Sequence, residues 1–94
     1  SVVVYNALSP NGDAKNEIFY LQHIAILSDA QNNRVTIFNR WGDVVFETTN
    51  YNNADRVFIG KNKNGNELPS GTYFYKIEFS GQRPAVSGFL SLKR

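Results

Sequence analysis

Eight carboxylates, one histidine and no cysteine are the reactive groups of this 94-residue chain. Histidine catalysis needs a nucleophile and an orienting partner within reach, and no motif around His23 supplies either. His23 is therefore read as a structural or surface residue. Glu47, Asp55, Glu67 and Glu78 scatter over different segments and form no recognisable acid pair. Phosphate-cradling loops, Cys/His metal spacings and nucleophile elbows are all missing from the sequence. The expectation is that the chain is not an enzyme.

Two other groups of residues could act without making or breaking a bond. Asn11, Asp13, Asn16 and Glu17 place four oxygen-bearing side chains in one short stretch, the ligand type that calcium prefers. The spacing is not that of an EF-hand loop, and residues of this kind commonly bond to their own backbone as Asx turns. No metal or other cofactor is assigned, and Asn11, Asp13 and Glu17 are the residues a calcium ion would use. The second group is Asn39-Arg40-Trp41-Gly42, which contains the only tryptophan. Arginine and tryptophan anchor protein interfaces through planar donors and large rigid area. Trp41 could equally plug one end of a fold, with Arg40 capping a carboxylate. Lys93 and Arg94, at the end of the sequence, are a third exposed candidate for partner contact, or else a frayed terminus.

Positioning these residues falls to short strands. Residues 34–47 alternate with period two on either side of Trp41-Gly42-Asp43, the pattern of a hairpin with the tryptophan at its tip. An isolated hairpin is not stable in water, so the remaining segments must supply a second layer. Strands are expected at 2–8, 18–21 (continued or crossing at 23–27), 56–59, 68–79 and 85–92. Polar turns separate them at 9–13, 28–33, 48–55, 61–67 and 80–84. A helix over 21–30 is the one competing assignment. In the 68–79 segment, Tyr73, Tyr75, Ile77 and Phe79 share one face. Pro69, Gly71 and Tyr73 resemble a tyrosine corner, in which a phenol near the start of a strand bonds upstream backbone. The reading is all-β: an immunoglobulin-like antiparallel β-sandwich of about seven short strands, spanning residues 1–94 as one domain.

Composition agrees with that class. Hydrophobic residues make up 41 % and aromatics 14 % of the chain, enough to form a core. A net charge of +2 with interspersed acids and bases gives no clustered basic stripe, so no nucleic-acid partner is expected. No apolar run approaches a membrane-spanning length, and no signal peptide begins at Ser1. The strand-like beginning is read as a fragment of a longer secreted protein.

Four landmarks occur in order. They are Asn6-Ala7-Leu8-Ser9-Pro10-Asn11-Gly12-Asp13, Ile37-Phe38-Asn39-Arg40-Trp41-Gly42, Leu68-Pro69-Ser70-Gly71-Thr72-Tyr73-Phe74-Tyr75 and Gly88-Phe89-Leu90-Ser91-Leu92-Lys93-Arg94. Together they resemble the gliding-motility-associated C-terminal domain, the type B sorting domain of the type IX secretion system. The chain departs from that pattern at Ala14 and Asn16-Glu17, and at Phe58-Ile59, where only Gly60 of a Trp-Asp-Gly turn remains. The resemblance implies a secretion and sorting module that directs an attached cargo to the cell surface or medium. Its partners would be outer-membrane translocon components and associated membrane proteins, with no small-molecule substrate. The residues expected to be read are Asn39 to Gly42 with Lys93 and Arg94. The rival is a carbohydrate-binding, adhesive or spacer sandwich, using Trp41, Tyr51 and Phe74 as exposed stacking surfaces.

Overall fold

The computed structural model describes residues 2–12, 16–24, 27 and 30–94. It contains seven strands: β1 (Val3–Val4), β2 (Ala7–Leu8), β3 (Leu21–Gln22), β4 (Asn33–Phe38), β5 (Val44–Thr49), β6 (Gly71–Phe79) and β7 (Val86–Leu92). β1 and β3 form a small antiparallel sheet, and the other five form a sheet ordered β2-β7-β6-β4-β5. The described residues contain no helix. The fold is all-β and sandwich-like. Within the large sheet one pairing runs parallel, the two-residue β2 alongside β7, with Leu8 opposite Leu92.

Period-two alternation decides which side of the large sheet is buried. Tyr73, Tyr75 and Ile77 of β6 turn inward beside Val35 and Ile37 of β4 and Leu90 and Leu92 of β7. Leu8 of β2 joins that row beside Leu92, and Phe19, Leu21, Ile24, Tyr51 and Phe58 complete the same core. Opposite Tyr75 stands Gly88, and a Cβ there would lie 2.7 Å from the tyrosine oxygen. The absent side chain makes room for the ring. Gly88→Ala should therefore cost about 1–3 kcal/mol through forced repacking, read from urea denaturation. A loss below about 0.5 kcal/mol would mean that the ring moves aside freely.

Several expected strands are replaced by side-chain pairing. The segment 2–8 splits between the two sheets: the Tyr5 amide donates to Tyr20 (3.2 Å), whereas the Asn6 carbonyl accepts from Ser91 (2.9 Å). The chain thus changes layers between residues 5 and 6. Residues 56–59 form no strand. Phe58 meets Phe19 through a single backbone bond of 2.9 Å. Tyr51 secures that contact: its hydroxyl donates to the Phe19 carbonyl (2.7 Å) and accepts from the Phe58 amide (2.8 Å). Two residues on, the Asn53 carboxamide brackets Leu21, accepting from its amide (2.9 Å) and donating to its carbonyl (2.8 Å). Asn33 acts likewise, donating to Ala30 (2.9 Å) and accepting from the Tyr51 amide (3.0 Å). The buried Asn33, the half-buried Asn53 and the phenol satisfy backbone groups that no ladder reaches.

Tyr51 is only 1 % exposed, so it offers no stacking surface to a sugar; its ring is core. Over 21–30 the described residues form the short strand β3 (Leu21–Gln22) and then turns. His23 has φ +70, a left-handed conformation that interrupts an α-helix. Residues 25, 26, 28 and 29 of that stretch lie outside the described residues.

Candidate docking site

The tip between β4 and β5 is shaped by one side chain. The Asn39 carboxamide oxygen accepts from the amides of Trp41 and Asp43, each at 3.0 Å. The Asn39 amide donates to the Asp43 carbonyl (2.9 Å) and the Gly42 amide to the Asn39 carbonyl (3.0 Å). Gly42 takes φ +87, a conformation that side chains resist. Asn39 and Gly42 are thus the frame of the loop, and Arg40 and Trp41 are what it presents. Trp41 is 72 % exposed and does not plug the sandwich. The Arg40 guanidinium carbon lies 4.5 Å from the indole centroid, a cation–π stack.

The same frame recurs at residues 62–66. There the Asn62 oxygen accepts from the amides of Asn64 (3.0 Å) and Asn66 (2.9 Å), and Gly65 has φ +83. A third Asn-closed loop spans 52–56, where Asn52 accepts from Ala54 (2.9 Å) and Arg56 (3.1 Å). The positions occupied by Arg40 and Trp41 are filled by Lys63 and Asn64 in one copy and by Asn53 and Ala54 in the other. The frame closes without an arginine or a tryptophan. Those two residues are therefore surplus to the turn. The repeated spacing, Asn followed three residues later by Gly, was visible in the sequence at 39–43 and 62–66.

Beside the tip runs the start of β6. Asn39, Arg40, Trp41, Pro69, Ser70 and Tyr73 line a cleft of about 220 Å³. The Tyr73 hydroxyl donates to the Pro69 carbonyl at 2.7 Å, four residues upstream, and Gly71 opens the strand between them. Burial pushes the Tyr73 phenol pKa above its ordinary value, and the nearby Arg94 charge partly offsets that.

Arg94 is anchored, not frayed. Its backbone amide donates to the Ser70 hydroxyl (2.9 Å) and its Nε to the Leu68 carbonyl (2.6 Å). Nη2 donates to the Gly60 carbonyl, and Nη1 lies 3.7 Å from the Glu67 carboxylate. These contacts close the base of the small hairpin at 60–68, where the Leu68 amide also bonds to Gly60 (2.9 Å). Gly60 has φ +83, and a Cβ there would stand 3.0 Å from the Arg94 guanidinium. Lys93 is exposed, with its amide donating to the Leu8 carbonyl at 2.8 Å. Ser70 thus both lines the cleft beside Trp41 and holds Arg94, so the structure brings the tip and the 93–94 segment to one end of the molecule. Arg94→Ala should destabilise the chain by about 1–2 kcal/mol, since charged donors to carbonyls are lost from a partly exposed site. It should also speed hydrogen exchange at the Leu68 amide. Unchanged exchange there would remove Arg94 from the hairpin's support.

In the loop after β2, the Gly12 amide donates to both oxygens of Glu17 (3.0 and 3.1 Å), which closes the turn. Asn16 adopts φ +52. Asp13, expected beside them, lies outside the described residues. Among the described residues no group of three or more His, Cys, Asp or Glu is placed to hold a metal ion.

Comparison with known proteins gives one match. A family model described as the CHU_C type IX secretion signal domain covers residues 2–92. Searches of curated proteins and of solved structures returned no match.

Proposed function

The chain belongs to the type IX secretion signal domain family, and on that premise we propose that it acts as a folded address. A signal of this kind is a non-catalytic module whose role is export to the surface or the medium. The finer reading is that the outer-membrane translocon and its associated membrane proteins dock on the end formed by Arg40, Trp41, the cleft at Ser70, and Lys93 with Arg94. Recognition is protein–protein contact, with no bond made or broken. The observation that carries this reading is the Arg40–Trp41 platform on a loop frame that two neighbouring loops close without it. A stacked, pre-ordered pair loses little rotamer entropy when a partner covers it.

The test is export of a reporter. Residues 1–94 joined behind a periplasm-targeted fluorescent protein, in a bacterium that carries the translocon, should send the fluorescence to the surface or medium. A folded fusion that stays in the periplasm overturns the reading. The rival, an adhesive or carbohydrate-binding sandwich, draws on the exposure of Trp41 and Phe74. It predicts glycan-array binding that is lost in Trp41→Ala.

A further inference from the structure

The outward face of the large sheet carries an apolar row that the docking end does not use. Val44 stands opposite Phe38, Phe38 opposite Phe74 and Phe74 opposite Phe89, so the row crosses β5, β4, β6 and β7. Val44 is 45 %, Phe74 44 % and Phe89 54 % exposed. The next row holds Glu47, Thr36, Lys76 and Ser87, and the one beyond it Thr49, Arg34 and Glu78. The four charged residues in these rows are two acids and two bases, so the face is electrically neutral.

We propose that this face is a weak homodimer interface, formed with a second copy of the chain about a two-fold axis parallel to the strands and midway between β4 and β6. The rotation lays β4 over the partner's β6 and β5 over the partner's β7. Phe38 then meets the partner's Phe74, and Val44 meets the partner's Phe89. Arg34 faces the partner's Glu78, and the reciprocal pair forms because an isologous contact repeats itself. An axis through β4 itself would oppose two arginines, so the charges select the axis between the strands. Two aligned sheets pack in this way about 10 Å apart. The sheet edge is a poorer route to self-association. Arg56 donates to the Thr49 carbonyl (3.1 Å) and hydroxyl (3.4 Å), covering the end of β5.

Four strands by three rows make a planar patch of roughly 400 Å² per chain. That is about half of what a standard stable interface buries on each side, so the dimer is a weak, transient one. The proposal does not depend on the sorting role.

Sedimentation velocity on the 94-residue chain tests it, from about 10 µM to about 1 mM, concentrations at which a weak dimer forms. The mean mass should rise toward twice the monomer, and Phe74→Glu should remain monomeric throughout. Arg34→Glu and Glu78→Arg should each weaken self-association, because one chain then presents two acids along that row and the other two bases. Mixing the two variants should restore the dimer. A wild-type chain that is still monomeric at about 1 mM overturns the proposal and leaves the face to a different partner. Dimerisation that survives Phe74→Glu, or a mixture that fails to recover, overturns it equally.

Discussion

Tyr51→Phe should cost about 2–4 kcal/mol, because it strips two buried backbone groups of their partner. The ring keeps its place: its edge-on packing against Phe19, with centroids 6.3 Å apart, needs no hydroxyl. What is lost is the donor to the Phe19 carbonyl and the acceptor for the Phe58 amide. No ladder runs between those segments to compensate. For a domain of this size the loss amounts to a fall in Tm on the order of 10–20 °C. Calorimetry reads it directly, and a shift of only a few degrees would mean that water replaces the phenol. The same residue has an alkaline signature. Burial, with the Phe58 amide partly opposing it, pushes the Tyr51 pKa well above the ordinary phenol value of 10.0. The folded state therefore holds the proton more tightly than the unfolded one. Its contribution is complete below pH 10 and is lost as the pH rises beyond that, so the alkaline slope of stability should be shallower in Tyr51→Phe.

The second large effect concerns export. Replacing Arg40 and Trp41 together by alanine should lower secretion of an attached reporter at least tenfold, the loss expected when an interface hot spot of about 2 kcal/mol disappears. Fold stability should change by less than about 0.5 kcal/mol, because Asn39 and Gly42 close the loop. Asn39→Ala separates the two roles. It removes the acceptor for the Trp41 and Asp43 amides, so it should lower both stability and export. Equal export by wild type and the double variant would place the recognition surface elsewhere on the domain.

The long aromatic strand β6 and the last strand are legible because each alternates with period two over seven or more residues. The hairpin is legible from its β-rich runs on either side of a turn, although a bulge at Val45 puts Val44 and Phe46, expected on one face, on opposite faces. The link from Tyr73 to Pro69 could be anticipated from residue types four apart. The first half of the chain was harder. β1, β2 and β3 are two residues each, too short for a period to register, and the pairs that hold them lie far away in sequence. Tyr51 and Asn53 sit in an Asn-rich stretch that reads as a solvated loop. Nothing local announces that their side chains reach Phe19 and Leu21, thirty-two residues upstream. Polarity ordinarily signals exposure; here it marks a buried phenol and a half-buried carboxamide standing in for a missing strand. At the docking end, the Arg40–Trp41 pair was evident from composition. The role of Asn39 as frame was not separated from theirs, although the same spacing at Asn62 and Gly65 would have shown it. Arg94 could not be placed from sequence, because Gly60, Glu67, Leu68 and Ser70 converge on it only in the folded chain.

Binding to the membrane that houses the translocon tests the central claim most directly. Purified domain would be titrated onto outer-membrane vesicles from cells with the type IX translocon and from cells lacking it. Saturable binding to the first and none to the second is predicted, with the Arg40→Ala/Trp41→Ala variant failing on both. Equal binding to both kinds of vesicle, or undiminished binding by the folded variant, would contradict recognition at this end of the sandwich.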